Sequence, residues 1–301
     1  MICCHEKYEV AMEISGAELR RCRDCGLVVV SQKIRGFAPE IYQDYYQEDT
    51  GGRFGAGIEC VVKAFRFVRA LKIFLLKSDS RSILDIGSGR GWTLYFLKKY
   101  FHYETAVGTQ ISLPAYRFSR EKLRLEIYNR DLLAIDFSRT FDVISLWHIL
   151  EHVNQPEEYV EKISQLLSDN GRLLIEVPNF NAWSRRLVEK YWLGLDLKHH
   201  LTFFTPAALS ALLLKYGFKI EKIRTFSLEY STFTSTQSLV NFISGSQDCF
   251  FCWLGGEKFG PKIYLHTLLF VLLFPLCFLV NLILYFFDWG EVITIVAQKN
   301  G

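Results

Sequence analysis

The sequence has almost no excess of either charge. Its 35 Lys and Arg stand against 32 Asp and Glu, a net charge of +3 over 301 residues. A nucleic-acid footprint needs a clustered positive excess, and the small group Arg20, Arg21 and Arg23 does not supply one. Nucleic acid is therefore not an expected partner. A charged-then-apolar leader with a small-residue cleavage site is lacking, which predicts no secretory export. The dense cysteine pattern of a secreted disulfide scaffold is lacking too. Eight cysteines occur as close pairs and singles, which fits a reducing compartment and a cytoplasmic location. Internal repeats and low-complexity runs are absent. Half of the residues are apolar and 22% are charged, which excludes global disorder. The mean hydropathy is slightly positive, so apolar residues are concentrated somewhere along the chain.

Four blocks are expected. Residues 1–55 hold four cysteines, a Tyr-rich stretch (Tyr42, Tyr45, Tyr46) and then glycines. Residues 56–230 form the core, 231–290 a hydrophobic insertion, and 291–301 a last core strand and tail. The core opens with a predicted helix over 56–80, in which Lys63, Arg66, Arg69 and Lys72 alternate with Val62, Phe65, Leu71 and Phe74. Short aliphatic runs then alternate with helical patterns, the signature of a parallel sheet with crossover helices. The predicted strands are Ile83–Ile86, Thr105–Gln110, Glu126–Tyr128, Phe141–Leu146, Arg172–Val177, Lys219–Phe226 and Val292–Ala297. One helix is predicted from Pro156 to near Gly171, and another from the cap Thr205 and Pro206 to Gly217.

The sharpest signal is the run LDIGSGRG, Leu84 to Gly91. A buried strand runs straight into Gly87, Ser88, Gly89, Arg90 and Gly91, and a helix follows with Trp92, Leu94 and Leu97. Glycines there allow a tight turn and let a ligand lie against bare backbone. A dinucleotide fingerprint would place its third glycine at position 92, which is Trp. The tighter spacing after Asp85 resembles motif I of class I S-adenosylmethionine-dependent methyltransferases. The later runs FDVISLWHILEHV (Phe141 to Val153), VPNFNAW (Val177 to Trp183) and HLTFFTPAAL (His200 to Leu209) resemble the ubiquinone-biosynthesis O-methyltransferase type and a bacterial branch with polysaccharide-cluster enzymes.

The resemblance implies a Rossmann-like seven-stranded methyltransferase sheet and S-adenosylmethionine as cofactor. It implies that Gly87, Ser88, Gly89 and Gly91 cradle the cofactor and that Asp85 faces its amino acid end. Gln110 stands 19 residues past Gly91, where the family has Asp or Glu on the ribose hydroxyls. Gln keeps a hydrogen bond but loses the charge, and charge-assisted bonds are about twice as strong. Asp131 and Leu132 match the adenine-edge position, and Trp147 falls in the cofactor pocket. An enzyme is implied, with the acceptor oxygen on a lipid-linked sugar, a polysaccharide precursor or a quinone-like molecule. A non-catalytic scaffold on the same fold is the alternative that Gln110 motivates.

Methyl transfer needs a base only where the acceptor must lose a proton. His148, His152 and His200 fall where ligands bind in such sheets, and imidazole titrates near neutral pH. His200 or His152 is the expected base, with Glu151 beside His152 in the run LEH. Each histidine can instead tie down its loop. Trp147, Trp183, Tyr191 and Trp192 can floor an acceptor pocket or pack the loops.

Cys22-Arg-Asp-Cys25-Gly26 is a knuckle of the zinc-ribbon sort, two thiols across a tight turn with a glycine behind and a strand Val28 to Val30 after it. The candidates for the other ligands are Cys3, Cys4 and His5, which make no clean second knuckle. Structural zinc and a zinc-free remnant both remain open. Cys249 and Cys252 lie among Phe250, Phe251 and Trp253, which favours hydrophobic contact or lipid attachment over metal.

Ile263 to Phe287 is 25 residues without a formal charge. About 20 apolar residues suffice for a helix to cross a bilayer. A single crossing would strand Val292–Ala297 on the far side, away from its sheet. The expectation is a hydrophobic hairpin of two short helices meeting near Pro275 and dipping into the inner face of the cell membrane, with Lys258, Lys262 and the basic 63–72 helix near the headgroups. An oligomer interface or a substrate lid is the competing reading.

Overall fold

The computed structural model describes residues 7–14, 16–31, 56–76 and 79–299. In chain order the elements begin with β1 (Tyr8–Ile14), β2 (Ala17–Cys22), β3 (Val28–Val30) and α1 (Ala56–Leu76). Then come β4 (Ser82–Ile86), α2 (Trp92–Tyr100), β5 (Thr105–Thr109), α3 (Leu113–Glu121), β6 (Glu126–Tyr128), β7 (Phe141–Trp147), α4 (Pro156–Leu166) and β8 (Leu167–Pro178). The remainder is α5 (Trp183–Val188), β9 (Thr202–Phe203), α6 (Pro206–Lys215), β10 (Phe218–Arg224), α7 (Ser231–Ser244), α8 (Cys249–Leu254), α9 (Lys262–Leu284) and β11 (Val292–Lys299).

The chain divides into two compact units. Unit one combines Met1–Arg35, Glu176–Ala211 and Ile223–Thr294; unit two combines Gly36–Ile175, Leu212–Lys222 and Ile295–Gly301. Unit two is built on a seven-stranded sheet of order β10-β11-β8-β7-β4-β5-β6, three of whose strands carry on past the unit boundary. β4 pairs in parallel with β5 and with β7, Ile83 standing opposite both Ala106 and Val143. The chain therefore builds outward from β4 through β5 to β6, then returns to the other side of β4 with β7. That reversal is a topological switch point, where the loops after neighbouring strands diverge and open a crevice. β4 and β7 are buried on both faces, as strands covered by helices on both sides must be. β11 runs against β8: Asn179 N donates to Glu291 O at one end, and Lys299 Nζ to Leu167 O at the other.

Sequence and structure agree closely on the core strands. α4 stops at Leu166 rather than near Gly171, because Leu167 turns extended and opens β8. Thr205 caps α6 as expected, its Oγ1 accepting from Ala208 N at 3.1 Å, and Gly217 follows in the left-handed conformation.

Unit one departs further from expectation. The predicted strand Val28–Val30 is there, and two unpredicted strands pair with it in an antiparallel sheet of order β1-β2-β3-β9. β1 and β2 were hidden because their outward positions carry Glu9, Glu13, Arg20 and other charges. β9, Thr202–Phe203, joins the same sheet opposite Val28 and Val29. Leu19, Val28, Phe180, Trp192 and Phe203 form its core.

The uncharged run also corrects its expectation. Lys262–Leu284 is one continuous helix with Pro275 inside it, not two short helices. Proline removes one backbone hydrogen bond and costs about 3 kcal/mol in a helix interior. Contacts from α7 on both sides of the proline hold the helix together: Phe233 packs on Phe270, and Ser235 accepts from Asn281 Nδ2 at 2.8 Å. The paired helices are thus α7 and α9. The Tyr-rich stretch and Gly51 to Gly55 lie outside the described residues.

Candidate functional site

The loop after β4 in unit two is shaped by glycine geometry. Gly87, Gly89 and Gly91 have φ of 69°, 56° and 75°, a region costly for residues with a Cβ. A Cβ on Gly87 would come within 2.1 Å of Ile149 Cδ1, and one on Gly91 within 2.6 Å of Leu125 Cδ1. The loop is pinned to the end of β5: Gly87 N donates to Thr109 Oγ1 at 3.2 Å, and Ser88 N to Thr109 O at 2.9 Å. Ser119 Oγ holds Gly89 O from α3 at 3.2 Å. The result is a rigid, bare-backbone cradle at the switch point.

Asp85 lies beneath this cradle, buried on β4, and accepts from Ser145 Oγ on β7 at 2.6 Å. Burial pushes its carboxyl up to about 6, against the opposing pull of the Ser145 hydroxyl and the charges of Arg69 and Arg66. Arg69 is itself buried, with its guanidinium 4.4 Å from the centre of the Trp147 ring. This corrects the reading of Arg69 as a headgroup-facing charge. Lys63 likewise sits over the Trp92 ring at 4.0 Å. The available signal was the spacing of Arg66, Arg69, Ala70 and Ile73, which puts cations on the inward face of α1.

Gln110 is buried, and its Oε1 accepts from Ser112 N at 2.9 Å. The amide Nε2 is then the end that can donate to a ribose oxygen. Asp131 caps a short turn, Leu132–Ala134, through a 2.9 Å bond from Leu133 N, and its other oxygen accepts from the Tyr159 hydroxyl. Leu132 is buried beneath it. Trp147 closes β7, and its buried indole N–H has no partner among the described residues. A donor without a partner is costly inside a protein. At the end of a strand that pairs with β4, it suits a ligand with acceptor atoms, such as the adenosine and carboxylate groups of S-adenosylmethionine.

The loop after β7 carries the acid–base candidates of unit two. His148 has φ of 55°, a strained conformation for a residue of its type. Its Nδ1 lies 3.2 Å from Oε1 of Glu151, which is buried in the turn Leu150–His152. The structure sets Glu151 against His148 and also beside His152, the neighbour sequence reasoning gave it: a Glu151 carboxylate oxygen and a His152 ring nitrogen lie within 4.8 Å of one another, and His152 N donates to Ile149 O at 3.0 Å. The spacing of three residues between His148 and Glu151 was the legible signal.

In unit one, His200 is buried with Nδ1 2.9 Å from Gly194 O. A carbonyl only accepts, so Nδ1 carries hydrogen and the neutral ring keeps its lone pair on Nε2. Trp192 is buried and donates through Nε1 to Glu291 Oε2 at 3.2 Å, and Ser184 Oγ donates to the same oxygen at 2.7 Å. Burial pushes the Glu291 carboxyl up to about 7 despite those two bonds. Sequence reasoning missed Glu291, which sits one residue ahead of a strand recognised only by its apolar run.

Cys22 ends β2 and is buried, and Gly26 takes φ of 75° behind Cys25. Bonds from Cys22 N to Leu27 O and from Gly26 N to Cys22 O close the turn. The described residues thus supply two thiols of a knuckle; Cys3, Cys4 and His5 lie outside them. Cys252, on α8, has its thiol pushed up to about 11 by burial and nearby acids.

A sheet of this order with a glycine cradle at its switch point defines a class I S-adenosylmethionine-dependent methyltransferase domain. The comparisons with known proteins agree. A family model described as "Methyltransferase domain" matches residues 62–223, more than half of the chain, and the chain belongs to that family. It is 27% identical over 134 residues to the mitochondrial ubiquinone biosynthesis O-methyltransferase of Schizosaccharomyces pombe, covering 42% of this chain and 47% of that protein. It is 25% identical over 104 residues to (S)-tetrahydroprotoberberine N-methyltransferase of Eschscholzia californica, covering 33% and 30%. The chain thus spans about half or less of the length of these curated relatives. Among solved structures the cyclase SpnF superposes with a TM-score of 0.50 at 13% identity, covering 78% of this chain and 80% of that one, a likeness of fold.

Proposed function

We propose that this protein transfers a methyl group from S-adenosylmethionine to an oxygen of a quinone precursor, a lipid-linked sugar or a polysaccharide precursor. The observation that carries the reading is the meeting of two loops in unit two. Ile149 fills the space that a side chain on Gly87 would need, so the His148–Glu151 pair is set immediately beside the cradle. Gly87, Ser88, Gly89 and Gly91 would hold the cofactor, with Trp147 Nε1 and Gln110 Nε2 as donors to it. When bound, the cofactor supplies a methyl group already activated on a sulfonium. The protein has to hold the acceptor in line and take its proton. The Glu151 carboxylate 3.2 Å from His148 Nδ1 favours hydrogen on that nitrogen, which would leave the lone pair on Nε2, the end to take the proton. His152 and His200 are the other candidates. The likeness to a curated O-methyltransferase supports oxygen as the target.

The test uses tritium-labelled S-adenosylmethionine with a polyprenylated catechol, a polyprenyl-diphosphate-linked disaccharide, and a secondary amine as comparison. Label is expected in one of the first two. His148→Gln is expected to lower turnover by about 10²- to 10⁴-fold with S-adenosylhomocysteine affinity unchanged. Label in the amine alone would overturn the oxygen assignment. Binding of S-adenosylhomocysteine without transfer to any acceptor would favour a non-catalytic scaffold.

A structural zinc ion at Cys22 and Cys25 belongs to the same reading, supported by the closed knuckle turn. Metal analysis of the purified chain is expected to find about one zinc per molecule, lost in Cys22→Ser. A metal-free wild-type protein with full thermal stability would remove it.

A further inference from the structure

Within unit one, α7 and α9 reverse the usual polarity of a water-soluble helix pair. The buried residues of α7 are largely Ser231, Thr232, Ser235, Thr236, Gln237 and Asn241. Most of their polar atoms are bonded inside, with Gln237 Oε1 the exception. Asn281 Nδ2 donates to Ser235 Oγ at 2.8 Å, Gln237 Nε2 to Asn241 Oδ1 at 2.8 Å, and Leu193 N to Ser238 Oγ at 2.9 Å. The outside is apolar. Leu265, Leu268, Leu272, Leu276, Leu279 and Ile283 are exposed at spacings of three and four, which makes one stripe along the whole of α9. In the most apolar 18-residue window of that helix only 17% is buried, so it is not the core helix of a soluble domain. Small polar residues between helices with apolar residues outward is the arrangement lipid selects.

The chemistry of the stripe chooses between lipid and a second copy of the chain. Protein interfaces carry about one hydrogen bond per 100–200 Å². From Leu265 to Ile283 no exposed side chain has a nitrogen or oxygen atom. The polar atoms gather at the ends. Tyr264, Lys262 and Lys258 are exposed at the start, with Glu257 the one acid among them. At the far end Arg186 stacks over Trp289 at 4.8 Å, beside Asp288. Aromatic and cationic groups bracketing an apolar stripe match the headgroup level of a bilayer.

Tethers set the orientation. The 23 residues of α9 span about 35 Å, enough to cross. Near its start, Ile263 and Phe270 pack with Val240 and Phe250 of α7 and α8. Past its end, Asn179 Nδ2 donates to Gly290 O at 2.7 Å and Trp183 N to Trp289 O at 3.0 Å. α7 lies along the helix between these points and is itself bonded to the Tyr191–Leu193 segment. A crossing helix would have to carry these water-soluble partners through the hydrocarbon. We infer that α9 lies flat in one leaflet of a bilayer, its outer stripe among the acyl chains and Lys258, Lys262 and Arg186 at phosphate level. This inference does not depend on the methyl acceptor.

The experiment is flotation of the full chain with vesicles of phosphatidylcholine, alone and mixed with phosphatidylglycerol. The protein is expected to float with both, more tightly with the anionic mixture. Leu272→Glu/Leu276→Glu is expected to weaken partition roughly 100-fold while S-adenosylhomocysteine affinity stays at the wild-type value, which reports an intact fold. Labels on Lys258→Cys and Asp288→Cys are expected to react from the same side of the vesicle. A full chain that stays at the bottom of the gradient would overturn the inference. So would a soluble dimer that the double variant dissociates, or labels that react from opposite sides.

Discussion

Gly87→Val is expected to abolish S-adenosylhomocysteine binding. Two effects act together at this position. The backbone φ of 69° is costly for a β-branched residue, and the added Cβ would meet Ile149 Cδ1 at 2.1 Å and Cγ1 at 2.6 Å. The β4 loop cannot yield easily, because Gly87 N and Ser88 N are held by Thr109. The Ile149 side chain would have to swing out of the space it fills beside the loop. The expected result by titration calorimetry is micromolar binding for the wild type and a loss of at least about 100-fold for the variant, near 3 kcal/mol. Far-ultraviolet circular dichroism should be unchanged, since the buried strand Ser82–Ile86 precedes the change. Equal affinity in both proteins would place the cofactor elsewhere and remove the cradle from the site.

Glu291→Gln is expected to flatten the dependence of stability on pH between about pH 4.5 and 7. The folded-state pKa of about 7 lies above the ordinary 4.5, so the folded protein holds this proton more tightly than the unfolded chain. Its stabilising contribution is full below about 4.5 and is lost as pH rises through 7. The loss amounts to about 3 kcal/mol for a shift of this size. Asp85 and Asp248, both raised to about 6, act with the same sign and add their own slope in both proteins. Melting temperatures between about pH 4.5 and 7.5 should therefore fall more steeply in the wild type than in Glu291→Gln. Parallel curves would mean that Glu291 ionises freely and that its burial is relieved by water.

Much of this was legible in the sequence, for identifiable reasons. β4, β5, β7 and β11 are largely apolar runs, and burial on both faces writes that pattern directly. The Gly87–Gly89–Gly91 spacing was legible because positive φ leaves few alternatives to glycine. β1 and β2 were not, because one face of each is solvated and charged. The contact of His148 with Glu151 showed only in their spacing of three, and the left-handed backbone at His148 that goes with it had no signal of its own. Gln110 could be placed, but the bond from Ser112 that turns its amide could not be foreseen. The single helix through Pro275 came from α7, a Ser- and Thr-rich segment with little helical signal of its own.

The order of the sheet has a consequence for how the chain is made. β11 follows every other described element in sequence, yet it sits between β10 and β8. Until it arrives, β10 has no neighbour on that side and β8 keeps an open edge. Pairings between residues far apart in sequence are slow to form, and open edges are sites of misassembly. During synthesis α9 emerges before β11, so the oiliest segment of the chain is made while the sheet is still incomplete. The nascent protein therefore passes through an interval in which an open sheet edge and the oiliest helix are exposed together; the closing strand covers the edge, while the outer stripe of α9 stays exposed after it docks.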